Sequence, residues 1–97
     1  MAELIFHPDT ALEIKESYEW YQQQAEGLGD DFLKELESAF EAIARLPGTW
    51  PKFTLNCRRF VLKKFPFSII YQARDEAIFI VAIMHNSRKP GYWKDRA

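Results

Sequence analysis

The chain has 97 residues, of which 47% are hydrophobic and 28% are charged, and its formal net charge is −1. This length fits a single domain over 1–97, and the composition is that of a globular protein and not of a disordered one. The sequence has no run of about 18 apolar residues, so we expect no membrane span and no membrane partner. The N-terminus lacks the basic stretch and apolar core of a signal peptide. The single cysteine, Cys57, predicts no internal disulfide, and a reducing cytoplasm is the expected location.

The charges are distributed unevenly along the chain. Residues 1–50 carry three basic and eleven acidic residues, a net charge of −8, whereas residues 51–97 carry ten basic and three acidic residues, a net charge of +7. The split allows one polar face that meets an anion and another that repels it. It is equally consistent with acidic helices that face solvent beside a basic sheet, and charge patterning alone leaves both interpretations open.

The first two predicted elements are a strand and a helix. Residues 3–7 predict a short strand, which Pro8 closes because it has no N–H to donate. Pro8 also suits the first turn of a helix, which Asp9 or Thr10 can cap. The apolar residues of this helix recur in steps of three and four, which is one helix face. They are Ala11, Ile14, Tyr18, Tyr21 and Ala25.

A second helix follows closely. Gly27 and Gly29 are predicted to end the first helix, since glycine accepts the left-handed conformation of a C-terminal cap. Asp30 or Asp31 then opens the second, and residues 47–48, Pro-Gly, stop it. Its predicted apolar face is Phe32, Leu36, Ala39, Phe40, Ile43 and Leu46. The short connection predicts an antiparallel helical hairpin with an apolar stripe that must be buried on a sheet.

The second half of the sequence predicts three strands. A loop over 47–56 leads to strands over 58–64, 67–73 and 77–84, and the last of these is apolar enough for a central position. A basic and aromatic tail over 85–96 follows. The order is therefore β-α-α-β-β-β, and the short connections predict an antiparallel meander. We expect a two-layer α+β domain in which a helical hairpin covers a small antiparallel sheet.

Two segments carry a recurring pattern of residues. They read Arg59-Phe60-x-Leu62-x-x-Phe65-Pro66-Phe67-x-Ile69-x-Tyr71 and Ile78-x-Ile80-x-x-Ile83-x-His85-x-x-Arg88-x-Pro90-x-Tyr92-Trp93. Together with the early His7-Pro8 and Trp20-Tyr21 pairs, they resemble the RelE/ParE toxins of bacterial type II toxin–antitoxin systems. The resemblance covers nearly the whole chain and is nearest to the ParE-like, plasmid-stabilisation branch, and it implies the fold expected above.

The resemblance implies two possible targets. ParE-like members inhibit DNA gyrase and have no known hydrolytic site, whereas RelE-like members cut mRNA on the ribosome. In both branches a cognate antitoxin neutralises the toxin. We therefore expect a ParE-like growth inhibitor, with a ribosome-dependent mRNA endonuclease or a folded relic of little toxicity as alternatives. The pI of about 6.1 disfavours the ribosomal alternative, because rRNA binding depends on phosphate neutralisation.

If the chain is RelE-like, the sequence offers candidate residues for RNA cleavage. Cleavage without a metal needs a base, an acid and cations for the developing phosphorane charge. The candidate catalytic residues are Arg59, His85, Arg88 and Tyr92, with Arg58, Lys63 and Lys64 as further cations. His85 would transfer protons and Arg88 would clamp a phosphate. Tyr92 would stack a base, as would Trp93.

Each candidate also has a purely structural interpretation. His85 can simply end a strand, Arg88 can pair with the acidic helices, and Trp93 can pack against the sheet edge. Arg58 and Arg59 point to opposite faces if both lie in one strand, so only one can serve a shared site. Arg59 is preferred because it falls within the family pattern.

The sequence predicts no metal or cofactor. His7, Cys57 and His85 lack metal-ligand spacing. No glycine-rich phosphate loop and no Gly-x-Ser-x-Gly motif occurs.

Overall fold

The structure is a computed structural model that describes residues 2–54 and 56–97. Its elements are β1 (Glu3–Phe6), α1 (Pro8–Gln24), α2 (Leu28–Arg45), β2 (Arg58–Val61), β3 (Phe67–Arg74) and β4 (Ala77–His85), followed by a short 3₁₀ helix (Lys94–Arg96). The predicted order β-α-α-β-β-β and the two-layer α+β class are confirmed. Leu55, within the predicted loop over 47–56, lies outside the described residues.

The four strands form one sheet in the order β1-β4-β3-β2. The predicted antiparallel meander is confirmed, but β1 runs parallel to β4, so the sheet is mixed and not wholly antiparallel. The position of α2 explains this difference. It ends beside the start of β1, where the Ala2 amide donates to the Ala44 carbonyl at 3.4 Å. The chain therefore enters β2 from the same end of the sheet as β1, and the meander then brings β4 parallel to β1.

The start of α1 differs from the prediction. Its N-cap is His7, whose Nδ1 accepts a hydrogen bond from the Asp9 amide at 3.1 Å. Thr10, one of the predicted caps, lies within the helix and donates its hydroxyl to the His7 carbonyl at 2.6 Å. The strand accordingly ends one residue earlier than predicted, at Phe6.

The predicted boundary between the helices was also wrong. The helix α1 ends before the extended residue Ala25, and α2 begins already at Leu28. Gly27, with φ of 83°, is the residue before α2, and Gly29 lies inside it. A Cβ on Gly29 would lie 2.7 Å from the Tyr18 carbonyl oxygen, so this glycine allows the two helices to approach closely.

The helices cover one face of the sheet and form the larger core with it. Its fully or nearly buried members include Phe32, Leu36, Ile43, Phe67, Ile69, Ile78, Ile80 and Ile83. Three predicted members of the helical stripes are instead exposed. Ala11 and Ala25 face solvent, and Leu46, which follows the end of α2, is 62% exposed.

The loop before β2 and the C-terminal segment cover the other face. The smaller core there contains Cys57, Ile70, Ala82, Met84 and Trp93, with Phe53 and Tyr92 packed against it. Both faces of β3 and β4 are therefore covered, as the apolar run of β4 predicted. Trp93 is fully buried in this core, so it packs against the sheet and cannot stack a nucleotide base.

Candidate functional site

Arg59 lies on the sheet face that points away from the helices. It pairs with Ile70 across β2 and β3, and its Nε donates to Ser68 Oγ at 2.8 Å. Its Nη2 donates to Asn86 Oδ1 at 3.2 Å, and the guanidinium lies 4.9 Å from the centre of the Phe53 ring. These contacts connect the edge strand to the loop after β4.

His85 ends β4 and points to the opposite face. It pairs with Phe67, on the helix side, and the two ring centres are 5.0 Å apart. A bulge between Ile70 and Tyr71, at which β4 contributes one extra residue, shifts the alternation of side chains along β4. Strict alternation would have put His85 on the same face as Arg59. The bulge therefore separates two of the four predicted site residues.

The remaining basic candidates on β2 and after it have structural partners. Arg58 lies on the face opposite to Arg59, as predicted, and donates to the Trp50 carbonyl at 2.6 Å. The side chains of Lys63 and Lys64 are exposed. Their backbone N–H groups both donate to the carboxylate of Glu35 on α2. This carboxylate fixes the turn between β2 and β3.

A partly buried carboxylate, Glu13, organises the C-terminal half of the predicted site. Tyr92 donates its hydroxyl to Glu13 Oε2 at 2.7 Å, and Arg96 pairs with Oε1 at 3.0 Å. The Ile83 amide also donates to Oε1, at 3.0 Å. Arg88 lies over Tyr92, with its guanidinium carbon 3.6 Å from the ring centre. The ion pair with the acidic helix, considered for Arg88, is thus made by Arg96.

This environment fixes the protonation state of Tyr92. Burial raises the pKa of its hydroxyl well above the usual value near 10, and the hydrogen bond to Glu13 and the charge of Glu13 raise it further. The positive charges of Arg88 and Arg96 oppose this rise only in part. At neutral pH Tyr92 is therefore a hydrogen-bond donor and cannot act as a base.

His85 and Arg88 line one cavity of about 460 Å³ beside α1. The other charged residues around it are Asp9, Glu13, Glu16 and Arg96. Of the four predicted site residues, the structure brings these two together, and Tyr92 joins them through its contact with Arg88. The three carboxylates on the wall offset the positive charges of Arg88 and Arg96, so the cavity lacks the net positive charge that would favour a phosphate group.

A larger groove of about 910 Å³ lies between α2 and the edge strand β2. Its apolar surface is formed by Leu28, Ala39, Ala42, Trp50, Phe60 and Phe65. Charged residues of both signs surround that surface: Asp31, Lys34, Glu35, Lys63 and Lys64. An apolar trough with a charged rim is the shape and chemistry that an amphipathic protein segment fills.

Within residues 2–54 and 56–97, no cluster of three or more metal-ligating side chains occurs. Over the same ranges, no helix is long and apolar enough to cross a membrane.

Comparison with known protein families decides the class of protein. The family model described as the ParE toxin of the type II toxin–antitoxin system, parDE, matches residues 4–90. The chain belongs to the ParE toxin family. The RelE/ParE resemblance and its ParE-like branch are thereby confirmed.

The fold of this ParE-family chain is similar to that of a solved structure titled "Chromosomal ParDE TA system from P. aeruginosa". The two share 20% sequence identity with a TM-score of 0.65, and the match covers 88% of this chain and 96% of that one. At this identity the likeness shows the fold. A comparison with curated protein sequences gave no match.

Sequence reasoning missed the residues that hold the ParE-family site together. Glu13 lies off the apolar stripe of α1, and Arg96 lies in the basic tail, so each resembles an ordinary surface charge. Asn86 and Ser68, which hold Arg59, are small polar residues without a motif of their own. Only the structural interpretation of Arg88, as an ion-pair partner of the acidic helices, pointed towards such a contact, and the structure gives that ion pair to Arg96.

Proposed function

We propose that this chain is the toxin of a toxin–antitoxin pair and that it stops growth by binding DNA gyrase, without cleaving RNA. One observation carries the choice between the two targets of the wider superfamily. Arg59 and His85 project from opposite faces of the sheet. A metal-free nuclease needs its base, acid and phosphate-binding cations around one scissile bond.

The state of the other candidates supports the same choice. Tyr92 is hydrogen-bonded to Glu13, and Arg88 lies over Tyr92. A gyrase-binding toxin needs no such constellation, since it acts through surface complementarity. Either target would place its action in the cytoplasm.

One observation favours the nuclease alternative. His85 and Arg88 line the same cavity, so a proton-transfer group and a phosphate-binding cation lie together. A ribosome-dependent mRNA endonuclease would use these two residues, with Arg59 and Tyr92 in supporting positions.

The deciding experiment measures both activities of the same protein. The chain is induced without its antitoxin, mRNA 5′ ends are mapped by primer extension, and the purified chain is tested in a gyrase supercoiling assay. We expect inhibition of supercoiling and intact mRNA, with His85→Ala retaining the inhibition. New 5′ ends in phase with codons, absent in His85→Ala and Arg88→Ala, would establish the nuclease instead. If the chain neither inhibits supercoiling nor produces new mRNA ends, it is a folded relic of little toxicity.

We further propose that the cognate antitoxin docks an amphipathic segment in the groove between α2 and β2. Its apolar surface includes the Trp50 and Phe60 rings, whose centres are 4.7 Å apart. Ala42→Arg, at the half-buried groove wall, should weaken antitoxin binding about tenfold or more by blocking the groove. Ala11→Arg, on the exposed side of α1, is the matched control. Equal affinities of the two variants would place the antitoxin elsewhere.

A further inference from the structure

The edge strand β1 leaves four backbone groups without a partner. The His7 amide donates to the Ile80 carbonyl at 3.0 Å, and Phe6 is the residue opposite Ile80. In a parallel ladder this places the N–H and C=O groups of Ile5 and His7 towards β4, and those of Leu4 and Phe6 away from the sheet. Among the described residues, no hydrogen bond reaches these groups of Leu4 or Phe6.

After Glu3, the side chains of this edge strand are apolar, and two of them are open to solvent. Ile5 is 38% exposed and Phe6 is 43% exposed, and neither Lys nor Pro interrupts the strand. Exposed edges are normally protected by such residues or by a covering segment. The opposite edge of the sheet has this protection. The edge strand β2 carries Arg58, and Lys52 in the preceding loop forms an isolated antiparallel β-bridge with Arg58.

We propose that β1 pairs with β1 of a second copy of this chain in an antiparallel arrangement, which joins two four-stranded sheets into one of eight strands. Symmetry and hydrogen-bond direction together restrict the register. The groups that point outward must face each other, and the register with Leu4 opposite the second copy's Phe6, and Ile5 opposite the second copy's Ile5, makes the most backbone hydrogen bonds. Four backbone hydrogen bonds then form, two at each Leu4–Phe6 pair. A register centred on Leu4 or on Phe6 would need the Ala2 amide, which already donates to Ala44, or Pro8, which has no N–H.

The side chains match in this register on both faces of the sheet. On the helix face, Leu4 meets the second copy's Phe6, which packs against Phe40 of its own α2 with ring centres 5.1 Å apart. On the other face, Glu3 lies opposite the second copy's His7. Because Nδ1 of His7 accepts the Asp9 amide, a neutral ring carries its proton on Nε2 and can donate it to Glu3.

This complementarity is the reason for choosing a second copy as the occupant. A foreign strand could form the same backbone bonds, but only self-pairing puts Glu3 opposite His7 at both ends of the ladder. The pairing also leaves the groove between α2 and β2 open, because β2 is the far edge of the sheet. Four residues on each side make a small interface, so we expect a weak dimer that forms at high concentration.

The first test is sedimentation equilibrium of the purified full chain from about 10 to 500 µM. We expect a monomer–dimer equilibrium that Ile5→Lys weakens about tenfold or more, because the change puts two ammonium groups opposite each other on the symmetry axis. Val61→Lys, on the exposed part of the other edge strand, is the matched control and should leave the equilibrium unchanged. A chain that stays at 11.4 kDa over the whole range overturns the proposal.

A charge exchange tests the register itself. His7→Asp keeps a good helix cap but sets two carboxylates opposite each other, so it should weaken the dimer. Adding Glu3→Lys should restore dimerisation, since each introduced ammonium group then faces an introduced carboxylate of the second copy. Failure of the double variant to recover while its fold is intact would overturn this register.

Amide hydrogen exchange followed by NMR identifies which strand pairs with the exposed edge of β1. The Leu4 and Phe6 amides should become protected as the chain alone is concentrated, whereas the His7 amide, bonded to β4, is protected throughout. Protection of Leu4 and Phe6 that arises only when antitoxin is added would assign the edge to an antitoxin strand and overturn self-pairing.

Discussion

Tyr92 donates a 2.7 Å hydrogen bond to Glu13, 79 positions earlier in the chain. The same carboxylate accepts the Ile83 amide and pairs with Arg96, which also donates to the Val81 carbonyl at 3.3 Å. These side chains occupy the edge of β4 beyond the end of β1. Glu13 and Arg96 thus satisfy backbone groups that a longer β1 would have satisfied, and they attach the C-terminal segment to α1.

Replacement of Glu13 should therefore be costly. Glu13→Ala leaves the Ile83 amide, the Tyr92 hydroxyl and the Arg96 guanidinium without their acceptor, and we expect a loss of about 2 kcal/mol in the free energy of unfolding. Glu19→Ala is the matched control, since Glu19 is an exposed residue of the same helix with no hydrogen bond or ion pair in the described part of the chain. Urea denaturation of both variants measures the difference. Similar midpoints for the two would show that the network contributes nothing.

The raised pKa of Tyr92 predicts a loss of stability in alkaline solution. The folded state holds this proton more tightly than the unfolded state, so the stabilisation is complete below about pH 10 and is lost as the pH rises towards the higher folded pKa. Tyr92→Phe removes this contribution, so its stability should fall less steeply between about pH 9.5 and 11. Urea titrations at several pH values give the two slopes. The pKa values of Tyr18, Tyr21, Tyr71 and Cys57 are also raised, and these groups contribute to the dependence that remains.

Cys57 should react with thiol reagents only when the protein opens. It is fully buried, and burial raises the pKa of its thiol more than the hydrogen bond with Gln72 lowers it. Because the thiolate is the reactive form, we expect labelling at pH 8 to be about a hundredfold slower than in denaturant. A cysteine placed at the exposed Thr49 in a Cys57→Ala background is the control and should react at once. Equal rates at the two positions would contradict the burial of Cys57.

Gly27 and Gly29, at the start of α2, should differ in their tolerance of alanine. Gly29→Ala brings a Cβ to 2.7 Å from the Tyr18 carbonyl oxygen and forces the helices apart, so we expect a loss of about 2–3 kcal/mol. Gly27→Ala meets no neighbour but strains a φ of 83°, at a cost of about 1 kcal/mol. Gly48→Ala, with open space and no such φ, is the control. Thermal unfolding should rank the variants in this order, and a Gly29→Ala protein as stable as Gly48→Ala would contradict the close helix contact.

The helical stripes show what could be predicted about the fold. Phe32, Leu36 and Ile43 are all buried, as their spacing predicted. Side chains that recur in steps of three and four residues lie on the same face of an α-helix. The helix boundaries were not predictable in the same way. Gly27 and Gly29 resemble a C-terminal cap in sequence, but the role of Gly29 depends on how closely the other helix approaches.

By itself, the sequence determined the number and order of the α-helices and β-strands, most of the apolar stripes that bury the helices, and the ParE family. These properties are local, since they follow from spacing along one segment at a time. Only the tertiary structure decided which polar residues meet. The direction of a side chain at the end of a strand depends on pairing and on bulges, and one extra residue in β4 separates His85 from Arg59. Glu13 and Tyr92 meet because the chain turns back on itself, and no local sequence pattern predicts that contact.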